Sequence, residues 1–197
     1  DPLKVEGEFE GVDLVQSGSS MVENIQIGID HLGEDRPVLV VTSDIPLLVA
    51  DAVDDFISRT ESVSADLYYP IIAKEINDER YPGVRRTYVR LKDGIFTGGN
   101  LALVEPEIVP ACREVFARAV ALRKKPWKLS RLLGFAFIFK LLFNRLTLQE
   151  IEARVETVLG FRGVAVITPY PEMGIDVDKP DDFQLVEKLL RERDSKE

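Results

Sequence analysis

Sulfur and imidazole are scarce in this chain. Cys112 is its single cysteine and His31 its single histidine, so no internal disulfide can form and no zinc site of the Cys/His type can be assembled. Positive charge is in deficit as well: 25 Lys and Arg face 34 Asp and Glu, a formal charge of -9. No basic run is long enough to follow a phosphate backbone, which argues against nucleic acid as a partner. Uncharged apolar runs stay below the roughly 18 residues that span a bilayer, and no signal-peptide pattern stands out. The expectation is a cytoplasmic protein.

The chain has 197 residues, 45% of them hydrophobic. That is enough for one substantial core, so a single domain over 1–197 is expected. Ser17-Gly18-Ser19-Ser20 reads as a turn, and Met21, Val22, Ile25, Ile29 and Leu32 recur at helical spacing behind it, predicting a helix from about Ser20 to His31. Pro37 to Thr42 is a short, continuous, β-branched run of the kind found in strands covered on both faces, and a central place in a sheet is expected for it. Ser43-Asp44-Ile45-Pro46 ends that strand, and a helical pattern runs from Val49 to Arg59. Leu67 to Ile72 reads as a strand. Arg86 to Leu91 and Ile95-Phe96 read as a hairpin around Asp93-Gly94.

Leu101 to Val104 is a further short strand and Pro106 to Leu122 a helix with a basic end at Arg123-Lys124-Lys125. The stretch Leu129 to Leu148 is apolar on nearly every side. Burial, or a homodimer contact, is the preferred reading of it; interfacial membrane contact through Leu132 to Phe143 is the other. Thr147 to Leu159 reads as an amphipathic helix, Val164 to Ile167 as a buried strand, and Pro180 to Arg193 as a closing helix that turns Phe183, Val186, Leu189 and Leu190 inward. Alternating helices and short apolar strands predict a three-layer α/β/α sandwich with a mixed, mostly parallel, Rossmann-like sheet. Ligands of such a fold bind at the carboxyl ends of the strands.

Chemistry-bearing residues gather at those ends. Asp44 follows a buried strand, where a carboxylate faces the ligand crevice and suits Mg²⁺ alongside substrate phosphates; the alternative is a cap for the helix beyond Pro46. Asp176 and Asp178 stand two apart, so an extended segment puts both on one side; here the alternative is capping of the last helix by Asp178 or Asp181. In Thr97-Gly98-Gly99-Asn100 the glycines permit close backbone approach to a ligand and Asn100 offers donor and acceptor, although a hairpin turn explains the glycines equally well. Lys74, Arg85, Arg86 and Lys179 are the candidate phosphate partners. His31 reads as a helix-end or surface residue.

Three segments together, VLVVTSDIPLL up to Leu48, TGGNLALV from Thr97 to Val104, and GIDVDKPDDF from Gly174 to Phe183, resemble the MobA-like nucleotidyltransferases, whose domain is the glycosyltransferase-A type. The resemblance implies that Asp44 and Asp178, with Asp176 as the lesser choice, are catalytic carboxylates that hold Mg²⁺. It implies that Ser20, Asn24, Ser43 and Lys179 contact the nucleotide and that Thr97, Gly98, Gly99 and Asn100 line the acceptor pocket. The implied ligands are an NTP and a phosphorylated small-molecule acceptor, with pyrophosphate released. The family opens with a strand and a glycine-rich phosphate loop that the sequence does not show before Asp44, so an additional amino-terminal portion is expected. A glycosyltransferase of the same fold and a non-catalytic nucleotide-binding module are the alternatives.

Overall fold

The computed structural model describes residues 11–33, 36–110 and 134–194. Helix α1 (Met21–Leu32) begins where the sequence predicts, with the Ser20 hydroxyl accepting from the Glu23 N–H. Strand β1 (Val38–Val41), helix α2 (Ala50–Thr60) and strand β2 (Leu67–Ala73) follow, then helix α3 (Lys74–Arg80), which the periodicity did not disclose. Strands β3 (Val89–Leu91), β4 (Gly94–Gly98) and β5 (Leu101–Val104) come next, with a 3-10 turn at Pro106–Ile108. After that come α4 (Phe135–Leu142), α5 (Leu148–Leu159), β6 (Gly163–Thr168), a second 3-10 turn at Pro171–Gly174, and α6 (Pro180–Asp194). Most of the expected helix from Pro106 to Leu122, the basic run behind it, Cys112 and Leu132 lie outside the described residues.

The sheet overturns the expected mostly parallel, Rossmann-like sandwich. Among the described residues, pairs β1–β5, β2–β5, β2–β4 and β3–β4 are all antiparallel, and only β2–β6 is parallel. The physical reason lies between Val89 and Val104: three strands follow one another with no helix between them, and a crossover to a parallel neighbour needs a dozen or more residues. Continuous apolar strands covered on both faces look alike in sequence whichever way their neighbours run, so composition did not reveal the direction. Nor is β1 central; among the described residues it pairs with β5 alone, at the end of the strand order.

One edge of β2 takes β6 from Leu67 to Ile72, and the other takes β5 and β4 end to end. Gly98 faces Ile71 and Leu103 faces Tyr68, so five steps along β4 and β5 span three along β2. Two extra residues are therefore accommodated as a bulge between β4 and β5. The Gly99 N–H donates to Pro70 O at 2.9 Å, the Asn100 N–H to Met173 O at 2.8 Å, and the Thr42 N–H to Asn100 O at 3.0 Å. The glycine pair is thus a bulge in a long strand rather than a hairpin turn.

Helices cover both faces of the sheet. Ala52 and Phe56 of α2 pack with Tyr68, Leu101, Val166 and Met173, while α1 and α5 bring Ile29, Val155 and Leu159 against Val104 on the other side. Phe56 and Met173 are fully buried, which makes their truncation a cavity-forming change of about 3–5 and 2–5 kcal/mol. Helix α5 starts with a full capping box, Thr147 and Glu150 each serving the other's backbone N–H. In α6, Val186 is buried and Leu189 and Leu190 pack inward, but Phe183 is exposed, contrary to the amphipathic pattern expected for it.

Helix α4 departs most from expectation. Its inner face sends Phe137 and Leu141 against Ile71, Leu91, Phe96 and Leu146. No residue of α4 is buried, and Phe135, Phe139, Leu142 and Phe143 are 58–76% exposed. Burial within the chain, one half of the preferred reading, is not found for these four side chains: the helix is apolar all round and the described residues cover one of its faces.

Candidate functional site

Strands β1, β2 and β6 run the same way, since β1 and β2 are both antiparallel to β5 and β6 is parallel to β2. The segments that follow β1 and β6 therefore leave the sheet at the same end. They are tied to each other there: the Val177 N–H donates to Asp44 O at 3.0 Å. Ile175 and half-buried Val177 turn into the core beside α6, with Leu47 and Val186. Alternation then sends Asp176 and Asp178 to the opposite side. One carboxylate oxygen from each of Asp44, Asp176 and Asp178 lies within 4.8 Å of the others. Three hard oxygen donors converging in this way are the ligand type that Mg²⁺ or Ca²⁺ takes.

The capping alternative does not hold for Asp44. The N-cap of α2 is Val49, which makes no side-chain cap bond. At α6 Asp182 accepts from the backbone N–H groups of Lys179 at 3.0 Å and of Asp178 at 3.3 Å, and the side chain of Asp181 lies outside the described residues.

A cleft of about 720 Å³ adjoins the acidic trio and is lined by Thr97 to Asn100, by the loop 83–87, and by Asp176, Asp178 and Lys179. A larger cleft of about 820 Å³ beside Tyr81 and Glu172 holds none of the three converging aspartates. In the first cleft the glycines are required by close approach. A Cβ on Gly98 would stand 2.3 Å from the Tyr69 hydroxyl, and one on Gly99 would stand 2.8 Å from Pro70 Cγ. The Tyr69 hydroxyl donates to Gly99 O at 2.7 Å. Burial raises its pKa, with the nearby Arg86 charge opposing, so the phenol stays a donor.

Arg86 is the cation that the fold brings to this cleft most fully. It is mostly buried, its Nη1 is hydrogen-bonded to Asp176, and its Nη2 donates to Gly98 O at 3.4 Å. Arg86 Nε and Asn100 Nδ2 are buried with no protein partner. Buried polar groups in native proteins are nearly all paired, so two orphan donors on one cleft call for an acceptor from elsewhere.

Of the residues singled out in the sequence, Asp44, Asp176, Asp178, Lys179 and Thr97 to Asn100 are brought together, as are Arg85 and Arg86. Ser20 and Asn24 are engaged elsewhere: Ser20 caps α1 and Asn24 Oδ1 accepts from the Gly18 N–H at 2.6 Å. Neither they nor Ser43 line the cleft. Lys74 pairs with Asp78 on α3, and His31 lies 2.9 Å from Asp13 at the surface. Tyr69 and the loop 83–84 were not anticipated. The Tyr68-Tyr69 pair in a period-2 strand was the signal for Tyr69, since only one of the two can enter the core on a given face.

A solved structure of a hypothetical transferase from Thermus thermophilus is similar to this chain, with 42% identity and a TM-score of 0.75 over 84% of this chain and 70% of the other. The chain belongs to the family of that protein. No protein-family model matches it, and no curated protein does. That relative is described as a transferase, a broader class than the MobA-like assignment. Among the described residues, no helix is long and apolar enough to cross a membrane.

Proposed function

We propose that this chain is a Mg²⁺-dependent transferase of the MobA-like kind, moving a nucleotidyl group from an NTP to a phosphorylated acceptor. The observation that carries the reading is the convergence of Asp44, Asp176 and Asp178 within 4.8 Å beside a polar cleft. In this reading an acceptor phosphate oxygen attacks the α-phosphorus, the α–β phosphoanhydride bond breaks, and pyrophosphate leaves with the bonding electron pair. A phosphate oxygen is already ionised at neutral pH, so no general base is needed. Mg²⁺, when held by these carboxylates, supplies charge neutralisation and orientation for in-line attack.

The chain's own residues do the rest. Arg86 steadies Asp176 and keeps its Nε, with Asn100 Nδ2, as preorganised donors for an oxyanion of the acceptor. Arg85 and Lys179 add positive charge on the cleft wall. The Gly98-Gly99 bulge, anchored by Tyr69 and Met173, lets backbone approach the ligand more closely than any side chain would allow.

The test is incubation with each NTP, a sugar phosphate and Mg²⁺, scored for pyrophosphate. Release that depends on both substrates, and a fall of at least about a hundredfold in Asp44→Asn, is the expected result. A parallel arm with nucleotide sugars addresses the glycosyltransferase alternative: release of a nucleoside diphosphate there, without pyrophosphate in the first arm, would replace this proposal. Normal turnover by Asp44→Asn would remove Asp44 from it.

A further inference from the structure

We propose that Tyr81 and Glu172 are positioning residues: their hydrogen bond latches the loop 83–87, and Arg86 with it, onto the frame that carries Asn100 and Asp176. The effect on acceptor binding rests on the transferase reading above; the latch itself does not.

The loop has little backbone order of its own. Tyr81 ends α3 and Val89 begins β3. Among the described residues, positions 82–88 between them have one backbone hydrogen bond, from the Val84 N–H to Tyr81 O at 3.2 Å. Such connections open at low free energy unless side chains tie them down. At the far end, the buried Asn77 of α3 donates through Nδ2 to the Tyr88 hydroxyl at 3.0 Å. The near end is tied to a different part of the fold: the Tyr81 hydroxyl donates to Glu172 Oε1 at 2.6 Å, across 91 residues of sequence.

The place of Glu172 gives that bond its consequence for the cleft. Glu172 belongs to the 3-10 turn Pro171–Gly174, in which Met173 O takes the Asn100 N–H at 2.8 Å and beyond which the chain runs on to Asp176. The two unpartnered donors of the cleft, Arg86 Nε and Asn100 Nδ2, lie on different segments. Tyr81 secures the first segment to Glu172, and Met173 secures the second. Adjacent residues of one turn therefore set the spacing of the pair.

The bond is built to hold. Tyr81 is buried with Leu47, Ile175 and Val186, and Glu172 is 7% exposed. A hydrogen bond to a carboxylate is roughly twice as strong as a neutral one. Burial first, and then Glu172, raise the Tyr81 pKa, so the phenol stays a donor at neutral pH. Arg80 adds little: its Nε is 3.5 Å from the same oxygen and its side chain is 69% exposed. Glu172 Oε2 has no protein partner, which leaves the phenol as the main tie.

Trypsin reads the latch directly, because Arg85 and Arg86 are cleavage points inside the loop. Loss of a hydrogen bond to a charged group should raise the open fraction roughly tenfold or more. Cleavage of the full chain at these two sites, followed by mass spectrometry, should accelerate by that factor in Tyr81→Phe, which keeps the ring in the core. Cleavage within α6 should keep the parent's rate. Glu172→Gln, whose amide oxygen still accepts, should retain most of the protection and Glu172→Ala should lose it. In the pyrophosphate assay, Tyr81→Phe should raise the KM for the sugar phosphate by about tenfold to a hundredfold and leave the KM for Mg²⁺·NTP unchanged. Parent-like cleavage of Tyr81→Phe would overturn the proposal. So would a fall in kcat with both KM values intact, the mark of a smaller folded fraction. Faster cleavage in the variant, with no pyrophosphate released even by the parent, would uphold the latch and remove the transferase reading.

Discussion

The cleft wall and the outer face of α4 are constrained in opposite ways. At the cleft the polar groups are held by backbone: Asp44 through Val177, Asn100 through Met173 and Thr42, and Asp178 and Lys179 through the Asp182 carboxylate. On α4 it is the apolar groups that meet solvent, Phe139 and Phe143 leaning on each other while most of their surface stays wet. Burial alone would have ranked these regions in reverse. Order at a functional surface comes from the hydrogen-bonded frame beneath it, and an exposed apolar face on a fixed helix calls for a partner as an orphan donor in a cleft does.

The comparison is broken hardest at the carboxylates. Asp178→Asn should weaken Mg²⁺ binding, measured by calorimetry, by more than the ten- to hundredfold typical of losing a residue that merely supports a metal ligand. It should leave the urea midpoint close to that of the parent, because Asp178 is exposed. Unchanged affinity would detach Asp178 from the trio. Next in size is Gly99→Ala. Its Cβ would meet Pro70 Cγ at 2.8 Å and the backbone O of Met173 at 3.3 Å, so urea unfolding should show a loss of about 1–3 kcal/mol. A neutral result would mean that the bulge yields more readily than its three backbone hydrogen bonds suggest.

Around α4 the expected effects are smaller. Thr147→Ala removes one half of the capping box that starts α5, a cost of about 1 kcal/mol by urea unfolding. Glu150 is held below the ordinary carboxylate range, first by Lys140 and then by the Thr147 backbone. Its ionised form therefore favours the folded chain above the ordinary carboxylate pKa, and that contribution disappears as pH falls through the lowered value. The urea midpoints of the parent and Glu150→Gln should converge on acidification; a gap that persisted in acid would rule out a charge effect. Smallest of all, Phe139→Ser/Phe143→Ser should stay within about 0.5 kcal/mol of the parent. A larger loss would place the two rings in the domain's own core.

Element existence was legible in the sequence wherever one face of an element meets the core. Helices α1, α2 and α5 begin or end within about a residue of their predicted bounds, because an apolar period marks all three and a side-chain cap opens α1 and α5. The direction of the strands was not legible, since a strand such as Leu101 to Val104 carries the same composition in either orientation. Helix α3 escaped because its seven residues, KEINDER, bury only Asn77 and leave no apolar stripe to read. At the site, the three aspartates could be named from the chain, but their convergence rests on the long-range Val177 to Asp44 hydrogen bond. Arg86 was visible only as one of several cations; what distinguishes it is burial against Asp176 and Gly98, which depends on a loop passing over a strand 12 residues away.

The bulge at Gly99 and Asn100 adds an even number of residues to the strand that crosses it. Phe96, Ala102 and Val104 accordingly point to the same side of the sheet, toward α5 and its neighbours, whereas Leu101 and Leu103 point to α2. Loop growth in steps of two is thus invisible to the core, while removal of a single residue would invert every side chain from one end of β5 to the other. The bulge therefore carries a built-in parity rule: length variants of the family at this spot should differ by two.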